Sequence, residues 1–199
     1  ESEWNLENRF TGWHDVDLTK NGIKEAEFAG KKILNENLII NSITSSILKR
    51  AVSTTRIVSK VLNFDEDQIQ YSWRLNERHY GALQGLNKSE TAKKYGEEKV
   101  LMWRRSYDTR PPLLDSNDAR HPKFNRKFKL IDSEIPAGES LKDVSIRMKP
   151  FLNDFFNKIK DSTESHLIIA HSNSLRALVM IFEKLSKKDI INLNIPTGV

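Results

Sequence analysis

Apolar positions along this chain recur with two periods, and the two alternate. From Thr19, a residue type that caps helices, positions Ile23, Ala26, Gly30, Ile33 and Leu34 share one face at helical spacing. Residues 39–45, with Ile39, Ile40 and Ile43, then read as a buried strand. A second helical pattern spans about 49–62, with Ala51, Thr54, Val58, Val61 and Leu62 on its inward face. Residues 68–73 again suit a strand. Asn87 can cap a short helix ending at Tyr95-Gly96, and residues 97–107 read as a further helix carrying Arg104 and Arg105. Residues 111–129, opening on Pro111-Pro112, have no period and read as a functional or mobile loop, with His121 on its surface. Ser140 and Asp143 have capping-box spacing ahead of an apolar stripe of Leu141, Val144, Met148, Phe151, Leu152, Phe155 and Ile159. Pro150 should kink or divide that helix. Residues 165–170 are the clearest candidate for a buried strand, and a helix with Leu175, Leu178, Val179 and Phe182 inward follows. Residues 1–17 fit neither period and read as an ordered loop pinned by Trp4, Phe10 and Trp13.

Strands alternating with helices predict an α/β fold. With no internal repeat or low-complexity linker, residues 1–199 are expected to form one domain. At 199 residues the chain is long enough for a substantial core. No run of 18 apolar residues occurs, so a membrane-spanning helix is not expected. Cysteine is absent, which removes disulfides and thiolate metal sites and is compatible with a reducing, cytoplasmic setting.

The formal charge of +5 favours an anionic partner. No Lys/Arg run exceeds two residues, so a nucleic-acid tail is disfavoured against a small phosphorylated ligand. The densest chemistry lies in Glu77-Arg78-His79-Tyr80, which follows neither apolar period and precedes Gly81 and Gly85. Four further clusters join it: Ser2 to Asn5 with Thr11-Gly12, Arg50, Lys88 with Arg104-Arg105, and His171-Ser172-Asn173. Arg50 falls in the first turn of a helix after a strand, where α/β proteins bind phosphate, and its charge opposes the helix dipole unless an anion offsets it. His171 falls at the carboxyl end of a strand, the ligand edge of an open α/β sheet. Taken singly, each residue reads equally well as solvated surface or structural contact. Together they make a ring of cationic and neutral donors around one carboxylate, Glu77. Metal-free phosphoryl transfer needs such a set: cations spread charge over the equatorial oxygens, and the carboxylate exchanges a proton with the substrate hydroxyl. No metal-ligand spacing and no P-loop pattern is present.

At these residues the chain closely resembles the cofactor-dependent phosphoglycerate mutases of the histidine phosphatase superfamily. The resemblance is carried by Glu1 to Asn5, Arg9 to Trp13, Leu48 to Ala51, Leu75 to Glu90, Trp103 to Arg105, Asn173 to Leu178 and Leu193 to Gly198. It implies a three-layer α/β/α fold, with helices on both faces of a mostly parallel sheet. It also implies interconversion of 3-phosphoglycerate and 2-phosphoglycerate, in glycolysis and gluconeogenesis, through a phosphohistidine and with 2,3-bisphosphoglycerate as phosphoryl primer and no metal. By that likeness Glu77 is the proton donor and acceptor, His171 stabilises the transferring phosphoryl group, and Arg50 clamps it with Asn5. Ser2, Thr11, Gly12, Arg78, His79, Tyr80, Lys88, Arg104, Arg105, Ser172 and Asn173 are expected to hold substrate carboxylate and phosphate. The family implies cytoplasmic homodimers or homotetramers acting on small phosphorylated three-carbon acids.

Two departures stand out. The family's nucleophile lies in an Arg-His-Gly motif ahead of the stretch that matches Glu1, on a strand outside these 199 residues, and the family's C-terminal tail lies beyond Val199. A chain of only this length is expected to lack mutase turnover. Ser172 also stands where the family pattern has Gly, which is a strained substitution if the backbone there requires positive φ. A bisphosphoglycerate synthase or phosphatase, and an inactive anion-binding remnant, stay as alternatives.

Overall fold

The computed structural model describes residues 1–129, 131, 135–160 and 162–198. Ser2 opens a short helix, α1 (Glu3–Leu6), through a capping box with Asn5. One helical turn thus stands where the sequence reads as loop, because the Ser2/Asn5 pair satisfies end groups that the periodic pattern cannot register. Next come α2 (Lys20–Asn35), β1 (Ile40–Ser45), α3 (Lys49–Leu62) and the two-residue strand β2 (Gln70–Tyr71). The remaining elements are α4 (Lys88–Tyr95), α5 (Glu97–Arg105), α6 (Leu141–Ile159), β3 (Ser165–Ile169), α7 (Ser172–Phe182) and α8 (Asp189–Asn192). The caps anticipated from sequence are in place. Thr19 accepts from the Gly22 N–H, Asn87 from those of Ser89 and Glu90, and Ser140 forms a capping box with Asp143.

The described strands form one parallel sheet in the order β2-β1-β3. Helices cover both faces, and the register assigns the sides. Ser45 pairs with Ile169, and paired residues point the same way. Thr55 Oγ1 of α3 donates to Ser45 Oγ at 2.8 Å, so α3 lies on that face. Ile168 points to the opposite face and packs with α6 and α7 around Leu141, Val144, Met148, Leu152, Ala177 and Leu178. Each such buried aliphatic side chain contributes about 1.5–3 kcal/mol. A second cluster joins Phe10, Tyr80, Leu83, Val100 and Trp103, and a third joins Trp13, Leu48 and Phe128.

Several expectations are corrected. In α2 the buried seam is Gly22, Ala26 and Gly30, while Ile23 and Leu34 are exposed. Small residues win that seam because α3 approaches closely: a Cβ on Gly30 would stand 2.9 Å from Val61 Cβ. In α3 the buried set includes Arg50, Thr55 and Ser59 in place of Thr54, Val61 and Leu62. Helix α6 is not divided at Pro150, whose ring faces solvent, where water can satisfy the carbonyl it releases. His121 is buried, accepting the Lys123 N–H as the cap of the 3₁₀ turn Pro122–Phe124. Strand β3 is half-buried along its whole length. The reason lies at its outer edge.

Candidate active site

A cleft of about 580 Å³ opens beside β3. Four consecutive residues, Leu167, Ile168, Ile169 and Ala170, line it. A strand face offers only every second residue, so the cleft runs along the strand's edge. Among the described strands only β1 pairs with β3, and the backbone polar groups of its other edge face this space. At one end Ala26, Ile33, Val58 and Ile195 line the cleft beside Glu1, Glu25 and Lys32, and the other end is polar.

The polar end gathers side chains from five parts of the chain. Arg50, in the first turn of α3, is buried and donates to the carbonyls of Gly12 at 2.9 Å and His14 at 3.1 Å. Burial lowers its affinity for the proton, against the opposing pull of Glu77 and Asp15. Gly12 has φ 54°, and a Cβ there would press on Gln84 Oε1 at 3.1 Å and Tyr80 N at 3.2 Å, so glycine is required. Thr11 is buried beside it, and its Oγ1 has no protein partner. Ser2 Oγ donates to Asn5 Oδ1 at 2.7 Å, which ties the α1 cap to the rim.

Glu77 is 8% exposed. Its Oε1 accepts the Arg78 N–H at 2.6 Å, and its Oε2 faces the Asn173 N–H at 3.5 Å. Tyr80 accepts from Arg78 Nη2 at 3.1 Å and from Asn173 Nδ2 at 3.2 Å. Burial pushes the Tyr80 phenol up, but the Arg78 cation pulls it down, and the net shift is downward. Burial lowers Lys88, reinforced by Arg104. Arg105 reaches the Leu193 carbonyl at 3.3 Å and Asn194 Oδ1 at 3.4 Å.

His171 follows β3 and caps α7. Its Nε2 shares a 2.8 Å hydrogen bond with Ser46 Oγ, which donates to Asn76 Oδ1 at 2.9 Å. Burial, with Arg50 and Arg147 nearby, holds the imidazole well below its usual pKa. Ser172 begins α7 in ordinary helical backbone and is exposed, so the glycine-specific conformation that would strain a serine is not used there.

Not every expected residue reaches the cleft. Arg78 and His79 are fully buried behind its wall. Arg78 donates to Tyr80 and to the Arg104 carbonyl, while its Nε and Nη1 have no partner. His79 accepts the Gly81 N–H at 3.0 Å, and burial pushes its pKa down to about 3.

Sequence reasoning passed over the residues that hold this arrangement. Arg176, 1% exposed, donates to Asn173 Oδ1 at 3.0 Å and to the Ile190 and Arg105 carbonyls. Arg147 pairs with Glu139 and reaches the loop that carries Glu77. Both are cations on otherwise apolar helix faces, and that anomaly was the available signal.

The family model for the histidine phosphatase superfamily (branch 1) matches residues 1–121 and 113–198. The chain belongs to the histidine phosphatase superfamily. Within it, the chain is 49% identical over 201 residues to 2,3-bisphosphoglycerate-dependent phosphoglycerate mutase 2 of Bacteroides thetaiotaomicron, covering 100% of this chain and 81% of that protein. Solved structures share the fold at lower identity. A mycobacterial glucosyl-3-phosphoglycerate phosphatase aligns with a TM-score of 0.73 at 21% identity, over 98% of this chain and 80% of that one. YhfR of Bacillus stearothermophilus aligns at 0.69 and 22%, over 97% and 80%. As a member of this superfamily the chain has the α/β architecture expected of it, a parallel sheet flanked by helices.

Proposed function

We propose that this chain carries the substrate site of a phosphoglycerate mutase that interconverts 3-phosphoglycerate and 2-phosphoglycerate. The observation that supports this reading best is a buried carboxylate, Glu77, sharing the lining of the cleft with Arg50, Lys88, Arg104 and Arg105. The likeness to a named mutase, over the whole of this chain and 81% of that protein, also supports it.

The cations neutralise the trianionic substrate and lower the cost of charge building on the transferring oxygens. Glu77, oriented by the Arg78 N–H, removes the proton from the attacking hydroxyl and returns it to the leaving one. His171 and Arg50 hold the phosphoryl oxygens. Thr11 Oγ1 and the bare Gly12 backbone, together with Asn173 and Tyr80, hold the substrate's other anionic group. Ser2, Asn5 and Ser172 shape the rim, and Arg78 and His79 act from behind the wall. The same donors suit 2,3-bisphosphoglycerate, which would supply the priming phosphoryl group. The phosphoryl-accepting histidine, which the family resemblance puts in an Arg-His-Gly motif ahead of the stretch matching Glu1, would reach the polar end from a strand laid along the free edge of β3. With the cations present to offset the charge, phosphoryl transfer between the substrate oxygen and the accepting imidazole is proposed to proceed without a metal. The proposed setting is cytoplasmic, within glycolysis and gluconeogenesis, as a homodimer or homotetramer. No helix among the described residues is long and apolar enough to cross a membrane.

The test is an enolase-coupled assay of 3-phosphoglycerate with and without 2,3-bisphosphoglycerate, on a chain in which Arg-His-Gly precedes Glu1, run beside an inorganic phosphate assay. Production of 2-phosphoglycerate that depends on the bisphosphate, with little phosphate released, is expected. Phosphate release without 2-phosphoglycerate would replace this reading with a phosphatase.

A further inference from the structure

Arg147 stands inside the apolar stripe of α6, three residues after Val144 and one before Met148, yet its side chain is only 6% exposed. Its donors are fully engaged. Nε donates to Glu139 Oε1 at 2.7 Å and Nη2 to Glu139 Oε2 at 3.1 Å, a bidentate pair in which Glu139 is 4% exposed. Nη1 donates to the carbonyls of Trp73 at 3.2 Å and Arg74 at 2.7 Å. Nη2 also reaches those of Asn76 at 3.1 Å and Glu77 at 3.3 Å. The guanidinium lies over the Trp13 and Trp73 rings, 5.6 and 5.9 Å from their centroids.

Glu139 closes the arrangement from the other side. Its Oε2 accepts the His79 N–H at 2.8 Å, and its own N–H donates to the His79 carbonyl at 2.8 Å. Trp13 Nε1 adds a 2.6 Å bond to the Glu77 carbonyl. The backbone from Trp73 to His79 is thus gripped at six points by one ion pair and one indole. This segment has no sheet partner or α-helix to fix it: it is a 3₁₀ turn, Trp73–Leu75, followed by irregular chain. The grip matters because Glu77 Oε1 is held by the Arg78 N–H, a backbone group of the same segment. Wherever that backbone sits, the carboxylate is aimed.

We propose that Arg147, fixed by Glu139, is the positioning residue for Glu77: the guanidinium clamps the carbonyls of residues 73 to 77 so that the Glu77 carboxylate points into the cleft. It touches no substrate, since neither Arg147 nor Glu139 lines the cleft. Only a planar fork with several donors spans two carboxylate oxygens and four carbonyls at once, so lysine is a poor substitute. The inference rests on the mutase reading for its catalytic consequence, but not for its geometry.

Two variants test it: Arg147→Lys, and the double variant Glu139→Leu with Arg147→Met, which replaces the pair by apolar side chains and leaves no orphan charge. Both are compared with the unsubstituted protein for kcat and KM on 3-phosphoglycerate, well below the melting temperature, all three in chains in which Arg-His-Gly precedes Glu1. The pH titration of the Glu77 carboxyl is followed in each by carbon-13 NMR. Misaiming a reacting group by about 1 Å costs up to about 100-fold in rate. Both variants are therefore expected to lose kcat on that scale while KM stays within about twofold. The Glu77 carboxyl resonance and its titration should move in both. A cooperatively folded double variant with unchanged kcat and an unchanged Glu77 titration would overturn the proposal. So would a loss that merely follows the unfolded fraction. If the unsubstituted protein does not convert 3-phosphoglycerate, the mutase reading fails, and the Glu77 titration alone then decides: unchanged in both variants, it overturns the clamp.

Discussion

His171 Nε2 lies 2.8 Å from Ser46 Oγ, so the imidazole at the end of β3 is pinned to the loop leaving β1. Ser46 is fully buried, donates to Asn76 Oδ1 and accepts the Leu48 N–H at 3.2 Å. One hydroxyl thus ties His171, the start of α3 with Arg50, and the loop entering Glu77. Ser46→Ala would leave three buried polar groups short of a partner, at about 1–3 kcal/mol each when unrelieved. The variant is expected to melt at lower temperature and to lose turnover beyond its unfolded fraction. Thermal melts and kcat measured on the same sample check this.

The pH dependence of stability is expected to fall on the acid side, with His79 as a main contributor. Burial, followed by His121, Arg147 and Arg120, lowers its pKa from 6.5 to about 3. Its folded value is depressed, so the unfolded chain binds the proton more readily between those values. The stability it contributes is full above pH 6.5 and is lost as pH falls towards 3, at most about 1.4 kcal/mol per pH unit. Asp118 and Asp143 are lowered from 3.8 to about 2, so they add to the loss only at the acid end of that window and below it. Urea midpoints at pH 7 and pH 5 should differ, and His79→Asn, which keeps an acceptor for the Gly81 N–H, should narrow the difference.

His171 is held neutral by burial and by the nearby Arg50 and Arg147 cations. A phosphate dianion seated between Arg50 and His171 would reverse that balance, since it stabilises the protonated ring. Anion binding near pH 7 is therefore expected to take up protons. Calorimetric titration with inorganic phosphate in buffers of different ionisation enthalpy reads the number directly. Uptake should shrink in His171→Asn.

Ser172 occupies the first position of α7 with its side chain exposed and its backbone helical. Ser172→Gly is accordingly expected to leave turnover unchanged and to shift stability by no more than about 1 kcal/mol, the scale of the helix-propensity difference. Steady-state kinetics and a denaturant midpoint measure both effects.

The elements themselves could be read in the sequence because their signals are local. Thr19, Asn87 and Ser140 are caps whose bonds span two or three residues, and the bounds of α3 match the reach of its helical pattern, although only Ala51 and Val58 of its expected inward face are buried. Glu77, Arg50, Tyr80, His171 and Asn173 were visible as polar residues with no local reason to be where they are. What local signals could not reveal was the buried polar scaffold. Arg147 joins Glu139 to carbonyls about seventy positions away in the chain, and Ser46 meets His171 across 125 residues. Such partners exist only once the fold brings them together. His121 was misplaced on the surface for the same reason, since its burial comes from packing and not from its neighbours in sequence. Strand β3, composed like a fully buried strand, is half-buried because one edge opens on the cleft.

The central claim is that the cleft beside β3 hosts phosphoryl exchange between phosphoglycerate and a histidine. The direct measurement is incubation of the protein with 2,3-bisphosphoglycerate labelled in its phosphoryl groups, using a chain in which Arg-His-Gly precedes Glu1. Label is expected on the protein that is lost in acid and kept in base, is chased into 2-phosphoglycerate by unlabelled 3-phosphoglycerate, and is slowed in its chase by Glu77→Gln. A protein that takes up no label while cooperatively folded, or one that passes its label only to water, would contradict it.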